Sequence, residues 1–339
     1  MADSHKDRNV TDKTLISVVI PIYNEENNVN LLVERLESTL SRLGCLWELV
    51  FALDPCPDRT RDKIQELMHA GHPIRLITFS RRIGKPLSVL AGLDHSRGDV
   101  CVIIDADLQD PPELIEQMFE EWRQGFDVVI AQRVSREGEN FFYLKAADIF
   151  YWLLEKISEV DVPKNTGDFR LMDARVVREV CRFRERHGFL RGIVASVGFR
   201  TTVVPYHRDA RFKGRTQIRF GGAINIALDG IIPFSRIPIR IIFFLGLVLL
   251  AFGGGAALIW LLVSVLGGLS PLWPFIALGI FVLLISGIVV TSMGIIGEYL
   301  IRTYEEVRER PLYVVDKIEE ADNLPRKPHY AATLPTDLA

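Results

Sequence analysis

Apolar residues come in short runs as far as Ala131 and in one long block near the C-terminus. Leu15–Ile22 (LISVVIPI), a β-branched run, and the mostly apolar Leu46–Leu53 and Ile74–Phe79 are of strand length and predict buried strands. Val100–Ile104 and Asp127–Ala131 predict a fourth and a fifth. Between them the period changes to that of a helix. Asn28–Leu43 has apolar residues at Val29, Leu32, Val33, Leu36 and Leu40. A second helix is expected from Arg59 to Ala70 with Asp58 as N-cap, a third up to His95, and a fourth over Pro111–Gln124. Strands alternating with helices at this rhythm give an α/β fold with a mostly parallel, doubly wound sheet.

In such sheets ligands bind at the carboxyl ends of the strands. Every strand end here turns polar: Tyr23-Asn24-Glu25, Asp54, Arg81 to Lys85, then Asp105-Ala106-Asp107 with Gln109. An edge with both carboxylates and cations suits a nucleotide diphosphate and its metal. If the segment after the fourth strand stays extended, Asp105 and Asp107 share a face and the Gln109 carbonyl is in step. Hard oxygen ligands of this kind suit Mg²⁺ or Mn²⁺ with places left for phosphates. The alternative is an acidic turn capping the next helix. Asp110, with Pro111 and Pro112 behind it and Glu113 as capping-box partner, is assigned that role. The glycine-rich loops of dinucleotide-binding and P-loop proteins are missing, which excludes those two classes.

From Arg133 to Arg219 the pattern loosens. Phe141–Ile157 is expected to be helical, 165–171 a turn feeding a short strand, Val176–Cys181 a short helix and Phe199–Tyr206 a strand. Arg208–Thr216 is a dense basic loop. It lies just before the apolar block, which favours a phosphate or headgroup role over a plain solvated surface.

That block carries no Asp, Glu, Lys or Arg from Ile241 to Gly297. It predicts an interfacial helix over 220–235 and a hairpin of two spans, 240–266 and 274–298, joined by a short uncharged turn. Arg236 and Arg240 flank one side and Arg302, Arg308 and Arg310 the other. The positive-inside rule then places residues 14–219, both termini and the 299–339 segment in the cytoplasm, in a multi-pass protein of the cell inner membrane. Residues 1–13 and the end of the tail are expected to be disordered. Spans without charge offer no transport path.

Composition refines this only slightly. Hydrophobic residues make up 48% of the 339, and the net charge of −3 gives no field for nucleic acid. The four scattered cysteines match neither a zinc spacing nor a disulfide framework, and the seven histidines show no paired spacing.

From Ser17 to Glu298 the chain resembles family 2 glycosyltransferases of the GT-A fold. Within them it resembles the polyprenyl-phosphate glycosyltransferases, relatives of dolichol-phosphate mannose synthase and bactoprenol glucosyltransferases. Val19–Glu25, Asp105–Glu113, Gly167–Leu171 and Arg208–Thr216 carry the resemblance, together with the two spans. It implies a nucleoside pocket from Pro21, Tyr23, Glu25 and Asp54, with Asp54 at the base edge and Glu25 at the ribose; Lys85 and Asp105 belong to the same nucleotide site. It implies a divalent metal, Mg²⁺ or Mn²⁺, on Asp105, Asp107 and Gln109. Arg133 matches a cation near the acceptor phosphate, Asp168 and Arg170 the floor of the sugar site, and Arg211 a clamp on the diphosphate. Lys213, Arg215 and Gln217 complete the loop that closes over the donor. Asp107, Asp168, Arg133 and Arg211 are the implied catalytic set.

The implied partners are a nucleotide sugar, a polyprenyl phosphate, the membrane, further copies of the chain (a tetramer, by the resemblance) and a separate flippase. Two departures bear on the donor. The family's acid pair and Gly-Ser is replaced by Leu53-Asp54-Pro55-Cys56, and Gln217-Ile218 stands where the loop often has Lys-Tyr. The expected reaction is transfer of one hexose, glucose from UDP-glucose, to undecaprenyl phosphate with inversion. GDP-mannose, UDP-GlcNAc or an aminoarabinose donor, and a non-catalytic membrane scaffold, are the alternatives. The Gln-x-x-Arg-Trp signature of polymerising synthases is absent.

Overall fold

The computed structural model describes residues 10–134, 166–184, 190–207, 273–308 and 310–325, with Arg8 and isolated positions between 246 and 262. The chain divides into two compact units: Met1–Lys156, Val160–Asp229 and Pro311–Ala339 form the first, and Ile157–Glu159 with Gly230–Arg310 the second.

The first unit is built on one eight-stranded sheet. Its strands are β1 Leu15–Ile22, β2 Leu46–Leu53, β3 Ile74–Phe79, β4 Val100–Ile103, β5 Val128–Arg133, β6 Thr166–Asp173, β7 Thr201–Tyr206 and β8 Val315–Glu320. Their spatial order is β7-β5-β6-β4-β1-β2-β3-β8. β1 pairs in parallel with β2 and β4, β2 with β3, and β5 with β7. Only β6 and β8 run against their neighbours. Every residue of β1, β3 and β4 is buried, which is why these strands are mostly apolar rather than alternating; their polar residues Ser17, Arg75 and Thr78 are buried too.

The helices of this unit are α1 Val29–Ser41, α2 Thr60–His69, α3 Lys85–Asp94, α4 Leu114–Arg123, α5 Ala174–Arg182 and α6 Leu190–Ser196. On α1, Val29, Leu32, Val33, Leu36 and Leu40 are all buried, as their spacing required. α2 opens at Thr60, one residue later than expected. Asp58 still braces the turn, accepting from the Thr60 amide at 3.2 Å and its hydroxyl at 2.8 Å. α4 also opens late, at Leu114. Its cap residue is Glu113, which makes no side-chain cap bond; the Glu113 carboxylate instead takes a bidentate pair from Arg35 at 2.9 and 2.7 Å. The capping box expected from Asp110 and Glu113 is therefore corrected, and Asp110 turns out to have a different use.

β6 corrects the expected turn at 165–171. Thr166, Gly167 and Asp168 are already strand, threaded antiparallel between β4 and β5. β5 runs on to Arg133, so that residue ends the strand rather than following it. Within the segment expected to be disordered, Arg8 donates to the Trp122 carbonyl at 2.6 Å and pairs with Asp127. The helix expected over 141–157 and the interfacial helix over 220–235 lie outside the described residues, as does nearly all of span 240–266.

β8 comes from the tail and covers the β3 edge of the sheet. It is tied there by Arg61–Glu319 at 3.3 Å and Arg97–Glu320 at 3.0 Å. Just ahead of it, the Tyr313 ring sits edge-on to Phe79 at 5.9 Å and its hydroxyl donates to Asp94, which also pairs with Arg184. Tyr313→Phe keeps the ring packing and removes one bond to a charged acceptor. Thermal unfolding should show a loss of about 1–2 kcal/mol, with earlier proteolytic release of residues 311–325. Unchanged protease resistance would contradict a docking role for this hydroxyl.

In the second unit α7, Trp273–Val307, is one continuous helix of 35 residues, nine residues beyond the expected end of the second span at 298. Some of its side chains lie outside the described ones. Among the described residues no helix is long and apolar enough to cross a membrane.

Candidate active site

The carboxyl end of β4 brings three charged side chains from distant parts of the chain together. Lys85, the first residue of α3, places its Nζ 2.7 Å from each oxygen of Asp105 and 2.8 Å from Asp168 Oδ2. Asp168 comes from β6, and its other oxygen accepts from Arg191 Nε of α6 at 3.0 Å. Arg170, two residues along β6, is 1% exposed and donates to the carbonyls of Gly167 at 2.9 Å and Asp168 at 3.3 Å. It thus braces the strand that carries Asp168.

Burial works to raise the Asp168 carboxyl, but Lys85, Arg191 and Arg170 outweigh it and hold it well below the usual carboxylate range. Burial pushes Asp105 up; Lys85 opposes this and the Asp168 charge adds to it. Lys85 itself is raised, because the two carboxylates overcome its desolvation. Burial lowers Arg170 to about 10 against the pull of Asp168.

Asp107 is 8% exposed and sits in a turn, not on an extended face. β4 stops at Ile103, Leu108 has φ +59°, and the Gln109 amide donates to Asp107 Oδ1 at 3.2 Å. A leucine in the left-handed region is a strained choice that the surrounding fold must enforce. The expected alternation over 105–109 is corrected accordingly. Among the described residues no three His, Cys, Asp or Glu side chains gather as a metal cage. The donor set of two carboxylates and one carboxamide nevertheless fits a hard divalent ion that takes its other ligands from substrate phosphates.

On the other side of β1 lie the residues expected to hold the nucleoside. Pro21 is buried in β1, two residues past the last β1–β4 partner, Val19. The Arg82 guanidinium lies over the Tyr23 ring at 3.8 Å, a contact that no local pattern announces. Glu25 accepts from Asn28 Nδ2 at 2.6 Å. Asp54, 3% exposed, accepts from the amides of Ile83 and Gly84, both at 2.9 Å. It therefore anchors the loop leading into α3. Gly84 has φ +85°, which a side chain resists, so this turn sets where Lys85 starts.

Arg133 is held at the end of β5. Its Nε donates to the Tyr206 hydroxyl at 3.2 Å, and that hydroxyl donates to Asp110, which is 1% exposed. Arg133 Nη2 is 3.9 Å from Asp110 and so close to Gly167 that a Cβ there would stand 2.9 Å away. Burial works against the Arg133 charge, but the Tyr206 bond and Asp110 overcome it and raise its pKa.

Sequence reasoning missed Arg191, Arg82, Tyr206 and the use of Asp110. Only Tyr206, polar at the end of an apolar strand, carried a local signal. Arg211, Lys213, Arg215 and Gln217 lie outside the described residues.

Compared with known proteins, residues 17–181 match the family described as Glycosyl transferase family 2. The chain is 38% identical over 310 residues to an uncharacterized glycosyltransferase of Synechocystis sp., covering 91% of this chain and 97% of that one. An uncharacterized glycosyltransferase of Bacillus subtilis is 38% identical over 307 residues, with 91% and 95% covered. A prophage bactoprenol glucosyl transferase homolog of Escherichia coli is 35% identical over 307 residues, with 90% and 99% covered.

Proposed function

The chain belongs to glycosyl transferase family 2, and from that premise we propose that it moves one hexose, glucose from UDP-glucose, onto a polyprenyl phosphate with inversion. The charge layout at the sheet edge carries the reading: an acidic group at the end of β4 for the donor, and a separate fixed cation, Arg133, for a second anion. Relatives of nearly the same length are named for glucosyl transfer to bactoprenol, which supports the acceptor class.

A divalent ion on Asp105, Asp107 and Gln109, when bound, offsets charge on the departing diphosphate. The chain's own groups position the rest. Lys85 and the N-terminus of α3 face the donor phosphates, Asp168 holds the sugar, Arg211 clamps the diphosphate, and Arg133 with the other cations of the 208–216 loop holds the acceptor. A phosphate monoester with a second pKa of about 6 is largely dianionic at neutral pH and needs no strong general base. One of its oxygens attacks the anomeric carbon. The bond to the diphosphate breaks on the opposite face, and UDP departs with the electron pair. No proton has to move.

We place the catalytic unit at the inner face of the membrane, anchored by the charge-free stretch from Ile241 to Gly297. The test is thin-layer analysis of lipid products after incubation with undecaprenyl phosphate and a panel of nucleotide sugars. A glucosyl lipid from UDP-glucose supports the reading. A product only from GDP-mannose, UDP-GlcNAc or an aminoarabinose nucleotide reassigns the donor. No lipid product from any donor overturns it.

Tyr206 is the positioning residue behind Arg133. Tyr206→Phe removes the hydroxyl that orients the guanidinium and keeps its charge. The acceptor KM should rise about tenfold, the cost of one hydrogen bond in a charged pair, with the donor KM unchanged. Steady-state kinetics with each substrate varied in turn separates these, and a shift in the donor KM alone would refute the role.

A further inference from the structure

We propose that Lys85 is a built-in counter-cation, bridging Asp105 and Asp168 until the donor diphosphate draws it away, so that a divalent ion binds stably only together with the nucleotide.

The geometry leaves little room for another account. One ammonium lies within 2.8 Å of both carboxylates and contacts both oxygens of Asp105. Without it, Asp105 would face Asp168 as like charge, offset by Arg191 on the far oxygen of Asp168 and by the buried Arg170 charge. A divalent ion approaching Asp105 meets a resident positive charge on the same oxygens. Like charges about 3–4 Å apart repel strongly in a partly buried site, and the Asp105 and Asp168 side chains are 24% and 22% exposed.

The backbone around Lys85 points the same way. Asp54 fixes the Ile83 and Gly84 amides, which sets the first turn of α3. A lysine at the first position of a helix sits at the positive end of the dipole, where a cation is disfavoured and an anion welcome. The two carboxylates that meet Lys85 there offset that cost. A diphosphate arriving at that N-terminus offers the ammonium a new partner and frees Asp105 together. Ion and nucleotide binding are then coupled, and the coupling is reciprocal.

This rests on the assignment of the ion to Asp105 and Asp107, so the experiment tests both. Full-length protein in detergent is titrated with MnCl₂, and unbound Mn²⁺ is read by electron paramagnetic resonance with and without UDP. Wild type should bind Mn²⁺ weakly alone and at least about tenfold more tightly with UDP, a coupling of ordinary size. Lys85→Met and Lys85→Gln should bind Mn²⁺ without UDP at least about tenfold more tightly than wild type, and UDP should add little. Lys85→Arg, which keeps a cation in place, should behave like wild type.

Lys85→Gln keeps donors for both carboxylates and guards against a folding defect in the methionine variant. If neither variant gains Mn²⁺ affinity while Asp105→Asn abolishes binding in the presence of UDP, the counter-cation role is overturned and the ion assignment stands. If Asp105→Asn binds Mn²⁺ with UDP as well as wild type does, the ion assignment falls and takes this role with it.

Discussion

Asp105→Asn and Asp107→Asn should each lower the transfer rate by about 10³-fold or more while the protein still folds in detergent. The size follows from the charge at stake. The departing nucleotide gains negative charge as the glycosidic bond breaks, and a site that loses an ion ligand loses the group that meets that charge. Folding is spared for a reason visible around Asp105. With that carboxylate gone, Lys85 keeps its bond to Asp168 at 2.8 Å, so no buried charge is stranded. Asp168→Asn would be a poorer probe, because it loosens Lys85 and Arg191 together. The check pairs a transfer assay across a Mn²⁺ series with a thermal melt of each variant. Activity near wild type at saturating Mn²⁺ would sink the ion assignment.

How much of this site the sequence shows depends on how far apart its partners are. The first four strands were legible because a strand buried on both faces is mostly apolar, and such runs are hard to mistake. Asp105 and Asp107 stood out because they end one of these runs. The face they share was misjudged, because the extended geometry stops at Ile103 and Leu108 turns left-handed. No local pattern announces that.

Partnerships through space are further out of reach. Lys85 and Asp105 lie 20 residues apart, and Tyr206 and Asp110 lie 96 apart. Asp110 shows the consequence. Its neighbours Pro111, Pro112 and Glu113 spell a helix start, and local chemistry assigned it there, yet the hydroxyl that donates to it comes from β7. β8 was missed for the opposite reason. VDKIEE is charged as an exposed edge strand often is, so it carries no apolar signal.

Arg133→Ala should raise the KM for polyprenyl phosphate by about 10²-fold and change the donor KM by no more than about threefold. The guanidinium is 23% exposed, held by the Tyr206 hydroxyl with Asp110 3.9 Å away, and it lies close over Gly167. A cation held this way has little freedom left to lose when it meets a phosphate, so more of the pair's strength appears as affinity. Loss of one partner in such a pair costs about 3 kcal/mol, which is the factor given. Arg133→Lys should recover only part of it, since a lysine keeps the charge without the planar fork that engages two phosphate oxygens.

Gly167→Ala offers an independent handle. Its added methyl would stand 2.9 Å from Nη2 and shift the guanidinium, so a rise in acceptor KM smaller than that of Arg133→Ala is expected with every charge intact. If Arg133→Ala and Gly167→Ala raise donor and acceptor KM equally, Arg133 lies outside the acceptor site, and the acceptor must be held by the basic 208–216 loop instead.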